Sequence, residues 1–152
     1  MPGLLTHSPA DVIRHMLISM GHGVLRSTSP NGSWPIFVGN ESDSPNNAVS
    51  VFDTRGRTHG ATHVDGQYHE HHGIQVLVRA ETYPVGWTKA DQIRNALEVS
   101  MYQEQVTISG TRYSIHSVAR DRVGGVLALG KDKSDSKRSL FSINALVIVT
   151  ML

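Results

Sequence analysis

From residue 74 to residue 80, Ile74, Val76, Val78 and Ala80 occupy every second position, while Gln75, Arg79 and Glu81 take the other parity. A period of two belongs to a strand with one face buried, so the chain must build a sheet and cover it from one side. The cover must come from segments with helical periodicity, and two are visible. In the first, Val12, Ile13, Met16, Leu17 and Met20 form one apolar stripe. Ser8 before Pro9 marks its start, with Asp11 placed to return the capping hydrogen bond, and Gly21 and Gly23 mark its end, predicting a helix over 9–20. In the second, Ala90, Ile93, Leu97 and Met101 trace the stripe, and Thr88 with Asp91 three residues on predicts a capped start and a helix over 88–102.

The remaining strands are shorter signals. An apolar run over 34–38 contains Pro35, which confines it to a strand start or a sheet edge because proline cannot donate to the ladder. Residues 48–53 are β-branched, and three more strands are expected over 113–119, 123–129 and 140–151. Residues 54–72, rich in Gly, His, Thr and Arg, show no periodicity and read as a long functional loop. The polar segment 131–139 reads as an exposed hairpin tip. The order helix, two or three strands, helix, three strands predicts one α+β domain over 1–152 with no internal repeat. Its sheet would be mixed or antiparallel, of about five or six strands, with both helices on one face and the other face or the edges left to other chains.

Composition narrows the function. A chain of 152 residues, 39% hydrophobic and 18% charged, supports one ordinary core. Fourteen Lys and Arg against thirteen Asp and Glu leave a formal charge of +1, far from the basic balance of a nucleic-acid binder. With no cysteine, disulfides, thiolate nucleophiles and Cys-based metal sites are excluded. The N-terminal segment has no basic stretch ahead of its apolar residues, and the apolar run at 146–149 is too short to span a bilayer, so a chain that is neither exported nor membrane-bound is expected.

Histidine is the conspicuous residue: five of nine fall at His59, His63, His69, His71 and His72. With Asp65 and Glu70 they contain ligand types suited to zinc or nickel, but the helical H-E-x-x-H order is absent, and a polar loop that orders on contact with a neighbour outweighs the metal reading. There is no G-x-S-x-G elbow, and neither Gly21-His22-Gly23 nor Gly124-Gly125 fits a phosphate-binding loop. Trp34 and Trp87 read as core or interface anchors. No catalytic residue and no cofactor is expected.

Two stretches, WPIFVGNESDSPNNAVSVFDTRG and GIQVLVRAETYPVGWTKADQIRNAL, resemble the minor capsid and tail-terminator family of tailed bacteriophages. The resemblance rests on the strand and turn from Pro45 to Gly56, the strand from Gln75 to Arg79, Tyr83, and the helix segment Lys89-Ala90. It implies a structural virion subunit that forms a ring, typically sixfold, on the tail tube and offers its other face to the head connector. Its partners would be further copies of itself, the tail tube protein and a head-completion or connector protein. It implies no membrane and no specific nucleic-acid binding, with DNA passing through the ring lumen, and assembly in the host cytoplasm. Arg55, Arg57, His59, His63, His69, His71, His72, Lys131 and Lys133 are the expected contact residues. The alternatives are a head-completion or neck adaptor protein, or a metal-dependent enzyme using the His59 to His72 segment.

Overall fold

A computed structural model describes residues 5–25, 34–39, 46–61, 68–101, 103–120, 125–131 and 138–152. The first helix, α1 (Pro9–Ser19), starts at its expected cap: Ser8 Oγ accepts a hydrogen bond from the Asp11 backbone N–H at 3.2 Å. Pro9 has no N–H to satisfy, and the Ala10 N–H donates to Asp53 Oδ1 at 2.9 Å, so the first turn's donors are accounted for. Asp11 does not return the capping bond; its carboxylate faces Arg14 and His15 at 3.8 and 3.2 Å. Gly21, at φ +82°, ends the helix as expected, because the left-handed turn there would strain any residue with a Cβ. Ser8→Ala should cost about 1 kcal/mol in urea denaturation, the usual worth of such a cap.

Six strands form a continuous sheet in the order β1 (Ile36–Val38), β2 (Ala48–Ala61), β3 (Tyr68–Ala80), β7 (Ser139–Met151), β5 (Thr111–Arg120), β4 (Gln105–Ile108). A seventh, β6 (Leu127–Lys131), pairs with the first residues of β7, and β5 pairs with the last ones. Only β1 runs parallel to its neighbour, so the sheet is mixed, and the proline-bearing run lies at its edge as predicted. The strand count is one or two above expectation because of β4, a four-residue strand paired with β5 across a tight turn. Its turn, Ser109-Gly110, takes positive φ at both positions (48° and 85°), the geometry a two-residue hairpin demands.

The alternation in β3 sets the core. Ile74, Val76 and Val78 are fully buried, and their register partners Val49 and Val51 on β2 and Phe141, Ile143 and Ala145 on β7 share that face. Both helices cover it, as expected. The second helix, α2 (Tyr83–Asn95), begins five residues before the predicted start. Thr82 is its N-cap, with extended backbone and no side-chain cap bond, and Pro84 stands in its first turn. Thr88 is interior, and Asp91 pairs with Arg94 at 2.8 Å instead of serving a cap. The start is earlier because Gly86 lies directly on Phe141: a Cβ there would come within 2.5 Å of Phe141 Cε2. The helix continues through a π-helical turn (Ala96–Ser100), so the predicted stripe Ala90, Ile93, Leu97 and Met101 is buried throughout.

Candidate functional site

The expected loop at 54–72 is largely strand. β2 runs on to Ala61 and β3 begins at Tyr68, so only 62–67 of that segment, with His63, lie outside the described residues. The register places Arg57 opposite His71, Thr58 opposite Glu70 and Ala61 opposite Tyr68. Two irregularities, between Thr54 and Arg57 and between Thr58 and Ala61, shift the pairing and erase the period-two pattern that marks a strand in sequence. β3 pairs with β7 only from His72 onward, so Arg55, Arg57, His59, His69 and His71 belong to a two-stranded ribbon carried past the third strand. His72 is at its root, opposite Val147.

At that root Gly73 faces the first bulge. A Cβ on Gly73 would lie 2.4 Å from the Arg55 carbonyl oxygen and from Thr54 Oγ1, so only glycine allows this close approach of two backbones.

Lys131 lies elsewhere. It is exposed, ends β6 and pairs with Ser139, which in turn pairs with Ala80 of β3. His72 and Ala80 are eight residues apart on one strand, so ribbon and β6 end stand ~26 Å apart along the sheet. Lys133 lies outside the described residues. The expected contact residues are thus not one site but two groups at opposite ends of β3.

Other exposed apolar residues include Trp87, read from the sequence as a core or interface anchor, and several that the sequence did not single out. Tyr83, Val85 and Trp87 at the start of α2, and Leu127 and Leu129 on β6, are each 45–52% exposed. Phe141 underlies the start of α2, its ring centroid 5.0 Å from that of Tyr83 and 6.3 Å from that of Trp87, and its register partner on β6 is Ala128. Every residue of β6 is exposed, and among the described residues it pairs only with β7. Leu127 is in register with Ser142, on the sheet face opposite Phe141 and α2, so the aromatic start of α2 and the open β6 edge are separate exposed features, each suited to protein contact. The sequence signal for the first of these was Pro84, which fits a first helical turn and brings Tyr83, Val85 and Trp87 together there.

Trp34 is different: it packs against the core with the Lys89 ammonium 5.4 Å from its ring centroid. Lys89 is 8% exposed, and burial lowers its pKa from the ordinary 10.5. His22, just after α1, is lowered from 6.5 by burial and then by the Lys89 charge. For both groups the folded chain favours the neutral form. The Lys89 penalty is therefore absent above pH 10.5, grows as pH falls toward the folded value, and is complete below it. Acidification below 6.5 adds the His22 penalty. Lys89→Met removes that titration, so the stability difference between the variant and the wild type should depend on pH. Urea denaturation of both proteins at pH 7 and 10 checks this: the gap should narrow at the higher pH.

Among the described residues no group of three or more His, Asp or Glu is placed to hold a metal ion, and no helix is long and apolar enough to cross a membrane. What the fold presents is contact surface: a projecting ribbon, an open strand edge and an apolar patch. Surfaces of these kinds are suited to contact with other proteins. The chain matches the family of bacteriophage tail terminator proteins over residues 16–151, from within α1 to the end of β7, and belongs to that family. It is a structural component of the phage tail. A search of curated proteins found no match.

Proposed function

We propose that the protein assembles as a homo-oligomeric ring, of six subunits, that ends the tail tube at its head-proximal side and joins it to the head connector. The observation that carries this reading is the tail-terminator match across nearly the whole chain. The two separated groups of contact residues support it, because a cyclic assembly uses two different patches on each subunit. In this reading the ribbon residues Arg55, Arg57, His59, His69, His71 and His72, with His63, meet one neighbour or the tube. Lys131 and Lys133 act at the other end of β3. DNA passes through the lumen without sequence-specific contact, assembly takes place in the host cytoplasm, and no catalysis or cofactor is assigned.

The test is negative-stain microscopy of the purified protein, alone and with tail tube protein, paired with hydrogen exchange before and after assembly. Rings, or caps at one end of the tubes, with slowed exchange over 54–72 and 131–139, are the expected result. Binding to a head connector without any affinity for tubes would overturn it in favour of a neck adaptor. Unchanged exchange in the two segments would remove them from the interface.

A further inference from the structure

The segment ahead of α1 is fastened to the sheet through one tyrosine. Tyr113 of β5 is fully buried, and its hydroxyl meets two nitrogens of His7: it accepts the His7 backbone N–H at 3.0 Å and lies 2.6 Å from the ring Nδ1. The two rings are edge to face, with centroids 5.6 Å apart. Leu5 packs against the core, and the Thr6 hydroxyl reaches the Met151 sulfur at 3.6 Å. Residues 5–7 therefore form a strap over Tyr113 and Met151, which are register partners on β5 and β7. The strap precedes the residues that match the tail-terminator family, which begin at 16.

A phenol hydroxyl carries one proton. Among the described residues that of Tyr113 has no hydrogen-bond partner except His7, and it already accepts the backbone N–H, so its own proton goes to the Nδ1 lone pair. This arrangement requires a neutral imidazole with its proton on Nε2. An imidazolium has a proton on both nitrogens, so Nδ1–H would meet O–H, and turning the hydroxyl away would leave its proton buried without an acceptor. We infer that His7 and Tyr113 form a proton-operated latch, closed at neutral pH and opened by acidification through the histidine range, that holds or frees the strap. The surrounding elements offer no replacement for the lost bond, because among the described residues no carboxylate pairs with His7. On α1, Asp11 faces Arg14 and His15; on β2, Asp53 accepts the Ala10 N–H; on β5, Arg112 takes the face opposite Tyr113; and β7 brings the uncharged Met151. Opening uncovers the Tyr113 hydroxyl and the part of the core beneath Leu5.

NMR of the full chain tests the latch. At pH 8, long-range proton–nitrogen correlation of the histidine rings should show His7 protonated at Nε2 alone. The protection factor of the His7 backbone amide, which already corrects for the intrinsic pH dependence of exchange, should fall about tenfold between pH 8 and pH 5, the loss of one hydrogen bond. Tyr113→Phe keeps the buried ring and should leave that amide equally unprotected at both pH values. His7→Asn retains a side-chain carbonyl that accepts from the hydroxyl and does not titrate, so it should keep its protection at pH 5. This second variant carries the test even if Tyr113→Phe folds poorly. Asp11, Arg14, His15 and Asp53 are unchanged in both variants, so a pH response that begins at α1 would persist in them. A proton on Nδ1 at pH 8, unchanged wild-type protection at pH 5, or a His7→Asn protein that opens on acidification as the wild type does would each overturn the inference. The latch lies within one chain, so its failure is distinct from a failure of ring formation.

Discussion

Phe141→Ala is expected to lower the unfolding free energy by about 4 kcal/mol, within the range for truncating a fully buried phenylalanine. The ring stands at the junction of three elements. It shares the core face of β7 with Ile143, meets Val78 of β3 in register, and lies beneath Tyr83, Gly86 and Trp87 of α2. Its removal leaves a cavity beneath Gly86 that only a shift of the α2 start could fill. Denaturant midpoints, with the slope unchanged, measure the loss. The same substitution should disorganise the exposed Tyr83, Val85 and Trp87 surface, detected as a red-shifted Trp87 emission in a Trp34→Phe background. A loss below about 1 kcal/mol would mean that α2 collapses onto β7 without a cavity, and that Phe141 does not set where the helix begins.

Gly73→Ala is the second large effect, at roughly 3 kcal/mol. The added methyl would meet backbone atoms, the Arg55 carbonyl oxygen at 2.4 Å and its carbon at 2.9 Å, and these cannot swing away as a flexible side chain would. On its other side Gly73 pairs with Leu146 of β7, so β3 is held from both edges and the strain must fall on the bulge in β2. Backbone amides over 55–61 and 68–72 should then exchange faster while the amides of 74–80 keep their protection. An equally protected ribbon would show that the bulge relaxes freely and that its geometry does not depend on glycine. If the ribbon makes ring contacts, this variant should also assemble less well than its loss of stability alone explains.

Much of this fold was open to sequence reading because its signals are local. The even-numbered residues of β3, the α1 stripe and its Ser8 cap, and the glycine that ends α1 each depend on spacing within a few residues. The β4–β5 hairpin belonged to the same class and was passed over: Ser109-Gly110 between Val106, Ile108 and Tyr113 carries both a turn dipeptide and alternation. The start of α2 was legible only in part, since Thr88 with Asp91 has the form of a cap, and Pro84 offers a competing one. The contact between Gly86 and Phe141, 55 positions apart, decides between them. The ribbon was hidden for a different reason, because two register shifts interrupt its regular pairing.

The sequence by itself determined the class of fold, the covered face of the sheet, the likeness to tail terminators, and the residue types offered to partners. Tertiary structure alone decided where those residues stand: the histidine ribbon at one end of β3, Lys131 at the other, the exposed aromatics at the start of α2, and the open β6 edge. It also decided that the Lys89 ammonium lies over the Trp34 ring. The division follows from range. Periodicity and capping are set by neighbours along the chain, whereas burial, pairing and charge compensation depend on which distant segments the sheet order brings together.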